Sequence, residues 1–238
     1  MGKNHMLASK VAIATTTWYR PDVESDVLRS KLAKKTIRKA IGLGYDVVVV
    51  DGGSSEEFLK ELEGYGAKVY AEELRGMGKG RRQVLKLAYE TGKEIIAWIE
   101  PEKDSVIPEL FKAVLPIVEG SADLVIPKRR SLETYPLLQQ YAENMGNLFW
   151  KDLTGHDLDM WIGVRVFKRE LVNYFLDYKG EYGDEWDSIF IPVMDAIVDG
   201  KTVKGVEINY VHPKEQTEIE EHDLQFHRKR LEQLNNFI

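Results

Sequence analysis

The chain has 238 residues, with 33 basic and 39 acidic side chains and a formal charge of −6. At 43% apolar and 30% charged residues it can bury a substantial core, which excludes disorder as its main state. The absence of cysteine excludes a disulfide scaffold, a thiolate metal site and cysteine catalysis, and the acidic balance argues against bulk nucleic-acid binding.

Short β-branched runs alternate with helical patterns through the first half. The runs are Val11 to Thr17, Asp46 to Val50, Ala67 to Tyr70, Glu94 to Ile99 and Asp123 to Ile126. Each is nearly continuous in apolar residues, as expected for strands buried on both faces. Leu28, Leu32, Ile37 and Ile41 recur at helical spacing between the first two. Ile107, Leu110, Phe111, Val114, Leu115 and Val118 form one apolar stripe between the last two. Strand, helix, strand, helix predicts a parallel sheet with right-handed crossovers.

From about Tyr135 the texture changes. Leu137, Leu138, Tyr141, Met145, Leu148 and Phe149 predict a longer helix, Val164 to Phe167 a strand, and Glu170 to Leu176 a helix. Val203 to Val211 reads as another strand, and the charged tail from Glu218 to Leu234 as a helix. No repeat or linker divides the chain, so residues 1–238 are expected to form one domain. The longest apolar runs are far too short to cross a bilayer, and the first residues lack an apolar core of signal-peptide length. The expectation is a cytoplasmic globular protein without a transmembrane segment.

In an open parallel sheet, ligands bind beyond the carboxyl ends of the strands. Those ends carry Thr15, Thr16 and Thr17; then Asp51, Gly52, Gly53, Ser54 and Ser55; then Glu100, Pro101, Glu102 and Asp104. The Asp51 turn can accept from a base or ribose, or Ser54 or Ser55 can simply cap the next helix. Gly76 to Arg82, reading GMGKGRR, precedes a helix containing Val84, Leu85 and Ala88. Such a start, with Lys79, suits an anion, although it is neither a P-loop nor Gly-x-Gly-x-x-Gly. Its alternative is a solvated basic loop. Glu100 and Glu102, two apart behind an apolar strand, can hold Mg²⁺ or Mn²⁺ against a diphosphate, or form an ordinary polar strand exit. His212 ends the strand VEINYV where a ligand would lie, whereas His5, His156, His222 and His227 lie in loops or near the termini. Trp150, Trp161 and Trp186 can stack on a sugar or pack in the core.

Together these pieces resemble the GT-A glycosyltransferases that use nucleotide-diphospho-sugars. The resemblance spans roughly Val11 to His212 and rests on VVVVDGGSS, GMGKGRR and EIIAWIEPE. It implies a single GT-A α/β domain with a mostly parallel, Rossmann-like sheet flanked by helices. Residues of about 11–130 would form the nucleotide-binding half, and those of about 131–238 the acceptor side and a C-terminal helix. It places Thr15, Thr16, Asp51, Lys79, Arg81 and Glu100 at the nucleotide. It assigns Glu100, Glu102 and His212 to a divalent metal, Mn²⁺ or Mg²⁺. WIGVRVFKREL, GDEWDSIFIPVMDAI and VEINYV look more specifically like the mannosylglycerate synthase branch of retaining enzymes. In that branch Asp187 would stand near the sugar; an inverting course would take Asp184, Glu185 or Asp187 as general base. One departure matters: the usual Asp-x-Asp is Glu-Pro-Glu, with longer side chains and a stiffened turn.

The function implied is transfer of a sugar from a UDP- or GDP-linked donor to a small soluble acceptor, with a homo-oligomer among the assemblies left open. A nucleotidyltransferase of related fold is one alternative. Its Gly-rich signature would follow the first strand, where this chain reads TTTWYRPD. A non-catalytic nucleotide-sugar binder is the other.

Overall fold

The computed structural model describes residues 3–235. In chain order the elements are α1 (Lys3–Ala8), β1 (Val11–Thr17), α2 (Glu24–Gly42), β2 (Asp46–Asp51), α3 (Glu56–Tyr65), β3 (Lys68–Ala71), α4 (Met77–Glu90), β4 (Ile95–Ile99), α5 (Phe111–Val118) and β5 (Leu124–Arg129). There follow α6 (Leu137–Thr154), β6 (Val164–Lys168), α7 (Val172–Asp177), α8 (Asp187–Val198), β7 (Val203–Ile208), α9 (Lys214–Glu221) and α10 (Leu224–Asn235).

The seven strands form one sheet in the order β3-β2-β1-β4-β6-β5-β7. Strands β1 to β4 run parallel, as the alternating pattern predicts. Strand β6 is antiparallel to both β4 and β5, and β7 is parallel to β5. Two reversals restore the original direction, so β5 and β7 end on the same edge as β1, β2 and β4. Residues Val11 to Ala14, Val47 to Val50 and Ile95 to Ile99 are buried on both faces and join one continuous core. No helix among the described residues is long and apolar enough to cross a membrane.

Three segments differ from the sequence reading. Gly76 to Arg82 is not a loop ahead of the helix, since Met77 already begins α4. The strand expected to reach Val211 pairs only to Ile208, after which Asn209 to His212 leave the sheet. The charged tail is two helices, separated at His222 and Asp223, where Asp223 Oδ1 accepts from Gln225 N at 2.8 Å. Charge periodicity does not reveal such a break, because a two-residue interruption leaves the polar pattern unchanged.

Candidate functional site

Strand β1 delivers its threonines to the carboxyl edge of the sheet. The Thr15 hydroxyl is buried there without a hydrogen-bond partner among the described residues. Thr17 Oγ1 donates to Asp51 Oδ2 at 2.7 Å. Asp51, only 4% exposed, also accepts from Gly53 N, Ser54 N and Ser54 Oγ, each at 2.7 Å. Its carboxylate therefore holds the Gly52–Gly53 turn in shape, and the residue caps no helix. That task falls to Ser55, whose hydroxyl accepts from Phe58 N at 3.3 Å.

The start of α4 lies against the segment before α8. Gly78 N donates to the Asp184 carbonyl at 2.8 Å, an approach open only to glycine: an added Cβ would lie 2.7 Å from that oxygen. Asp184 adopts a left-handed φ of 59°, and its carboxylate binds Arg82 through two bonds of 2.6 and 2.7 Å. Lys79 is exposed at this helix start. Arg81 turns the other way. It is buried over the Trp98 and Trp186 rings and donates to the Glu185 carbonyl and to Ser188 Oγ. Burial pushes its pKa down to about 10. Arg81 thus supports the site from beneath.

Glu100 and Glu102 leave β4 in different company. Glu100 N donates to the Gly163 carbonyl at 3.0 Å, and its carboxylate lies 3.5 Å from Lys103 Nζ. Burial raises the Glu100 pKa, but Lys103, Arg81, Arg230 and Arg29 outweigh it and hold the carboxyl below its ordinary value. Glu102 is buried, accepts from Tyr19 Oη at 2.8 Å and pairs with Arg29 at 2.9 Å. Lys103 donates to Tyr135 Oη at 3.2 Å, and Tyr135 stacks on His212 at 4.1 Å between ring centroids. His212 is buried, with Nε2 3.3 Å from Glu220 Oε2. Burial lowers its pKa and favours the neutral ring.

These donors suit a hard divalent cation: two carboxylates and a neutral imidazole make a mixed oxygen and nitrogen shell. Among the described residues, however, no three such side chains stand close enough to hold an ion. Arg29 pairs with Glu102 and Glu220 with His212, so a cation held by these side chains would have to displace both partners.

The three carboxylates expected near the sugar have separate fates. Asp184 is clamped by Arg82. Asp187 accepts from Tyr178 Oη at 2.5 Å, Glu185 N at 2.6 Å and Asp184 N at 3.1 Å, so it shapes its own loop. Glu185 is exposed, and its carboxylate accepts no hydrogen bond among the described residues. Sequence reasoning missed Arg165, which is wholly buried and donates to the Met160, Val164 and Ile189 carbonyls, tying the turn before β6 to α8. Its only sequence signal is a cation inside an apolar strand.

No protein-family model matches the sequence, and no curated protein matches it. Solved structures do. Glucosyl-3-phosphoglycerate synthase from Mycobacterium tuberculosis, in complex with Mg²⁺ and uridine diphosphate, has a TM-score of 0.69 at 14% identity, over 100% of this chain and 84% of that one. The same enzyme with phosphoglyceric acid gives 0.67 at 16% identity, over 97% and 82%. Its complex with Mn²⁺, UDP-glucose and phosphoglyceric acid gives 0.67 at 15% identity, over 100% and 84%. The expected GT-A architecture is the one observed.

Proposed function

We propose that this chain is a metal-dependent glycosyltransferase that moves a sugar from a nucleoside-diphosphate donor to a small soluble acceptor. The observation that carries the reading is the match of the whole chain to structures holding UDP, UDP-glucose and a divalent ion. The diphosphate lies at the start of α4, where the helix dipole and Lys79 favour negative charge. Once freed of Arg29 and Glu220, Glu102 and His212 would hold Mn²⁺ or Mg²⁺ together with Glu100, and the ion would offset charge on the departing diphosphate. Lys79 adds electrostatic stabilisation there.

The state of the carboxylates supports a retaining course. An inverting enzyme needs a free general base, and Asp184 and Asp187 are both tied into their loop, leaving Glu185 alone. Retention without an enzyme nucleophile asks only that the donor be held and its leaving group stabilised.

Two variants test the reading. A charge-assisted phosphate contact contributes about 1.5–3 kcal/mol, so Lys79→Ala is expected to weaken nucleoside-diphosphate binding roughly ten- to a hundredfold in calorimetry. Unchanged affinity would return the segment to a solvated helix start. Glu102→Gln keeps the shape and removes the charge. It is expected to abolish both Mn²⁺-stimulated donor cleavage and the rise in melting temperature that Mn²⁺ with nucleotide produces in the wild type. Tight Mn²⁺-dependent donor binding by the wild type without cleavage, whatever acceptor is supplied, would favour the non-catalytic binder.

A further inference from the structure

We propose that Glu72 reads the nucleobase and selects guanine, so that the donor is a GDP-linked sugar; this rests on the transferase reading above. Glu72 follows β3, and its N–H donates to the Asp51 carbonyl at 2.8 Å. Its side chain is only 14% exposed. Its carboxylate accepts no hydrogen bond among the described residues, and its one charged partner, Arg75, stands 3.4 Å away. A largely buried carboxylate without donors is costly unless a ligand provides them.

The surroundings form a slot. Glu72 Oε1 lies 3.0 Å from where a Cβ on Gly80 would be, and Oε2 lies 3.3 Å from where one on Gly52 would be. The carboxylate thus sits between two backbones that carry no side chain. Beside Gly52 stands Trp18, 56% exposed, with the Arg75 and Arg20 guanidinium carbons 5.5 and 5.6 Å from its ring centroid. Aromatic rings and guanidinium planes are the surfaces on which single bases stack. With the sheet order β3-β2-β1-β4, the end of β3 lies three strand spacings, roughly 14 Å, from the acidic end of β4, and the Glu72 carboxylate reaches in from it as far as Gly80. The ribose and diphosphate extend from this slot along the start of α4 towards the acidic end of β4.

The chemistry of the base edge then selects. Guanine presents an imino N–H beside an amino group, two adjacent donors that one carboxylate accepts together. Adenine offers one donor beside an acceptor. Uracil offers a single N–H flanked by two carbonyl oxygens, which oppose the carboxylate.

Calorimetric titration of GDP, UDP and ADP, each with Mn²⁺, into wild type and Glu72→Gln tests this. Wild type is expected to bind GDP at least tenfold more tightly than UDP or ADP. A bidentate base contact discriminates by roughly 5- to 150-fold, so Glu72→Gln should narrow the GDP preference by a factor in that range and leave UDP within about twofold. An equal loss for all three nucleotides would assign Glu72 to the ribose hydroxyls and overturn the proposal. UDP binding as tightly as GDP in wild type overturns it as well, while sparing the transferase reading. Failure of every nucleotide to bind overturns both. Should the variant not fold, the wild-type ratio alone decides.

Discussion

Arg129→Met is expected to lower stability by about 3–5 kcal/mol, the cost of breaking a buried ion pair from one side. For a chain of this size that is a fall in melting temperature of roughly 6–20 °C. The Arg129 side chain is fully buried. Its Nε and Nη2 donate to Asp159 at 2.6 Å each, and Nη2 lies 2.7 Å from Glu143. Methionine fills much of the volume but leaves buried Asp159 without its cation and Glu143 with only Arg230, 3.9 Å away. Burial raises the Asp159 pKa, yet Arg129 outweighs it and holds the carboxyl below its ordinary value. In wild type that lowered pKa adds stability which is complete above the unfolded value, about 3.9, and lost as pH falls through the folded one. Without the guanidinium, burial, the largest influence, is opposed only by the residue 129 N–H and the Asn147 amide, so the shift is expected to reverse and the variant to be relieved by protonation. The stability gap between variant and wild type should therefore shrink from pH 7.5 to pH 5 in urea titrations. A gap independent of pH would show that packing, not the uncompensated charge, sets the cost.

Gly78→Ala is expected to weaken nucleotide binding about a hundredfold, the scale of effect when a binding element moves by an ångström. The new Cβ would press on the Asp184 carbonyl and, closer still, on its carboxylate. Asp184 has little room to yield: its φ is left-handed, Arg82 grips its carboxylate, and its carbonyl already bonds Gly78 N. The start of α4, with Lys79, must therefore shift. Gly64→Ala is the control, because nothing lies within 4 Å of its added Cβ and α3 should gain about 0.5–1 kcal/mol. Wild-type affinity in Gly78→Ala would show that the approach of α4 to the segment before α8 is dispensable for the donor.

The parallel core was legible because burial on both faces leaves a mark in each strand. Val47 to Val50 and Ile95 to Ile99 admit no polar face, and the polar residues that follow them fall at one edge of the sheet by topology alone. The placement of Thr15, Asp51, Lys79 and Glu100 near that edge follows from the same marks. Direction is not written in this way. Strand β6 reads like its neighbours, since a buried strand shows the same apolar run whichever way it points, and only packing made it antiparallel.

The partners of each charge were also beyond reach of the sequence. Lys79 and Arg81 lie two apart in one helix start, and the helical turn sends the first to solvent and the second under the Trp98 and Trp186 rings. Asp184, Glu185 and Asp187 look equivalent as letters. Contacts with Arg82, with Tyr178 and with the loop amides are what separate them. Arg129 with Glu143 and Asp159, and Glu102 with Arg29, join residues far apart in the chain. Composition and periodicity report how much of a residue is buried; which charge answers which is decided only when the sheet brings distant segments together.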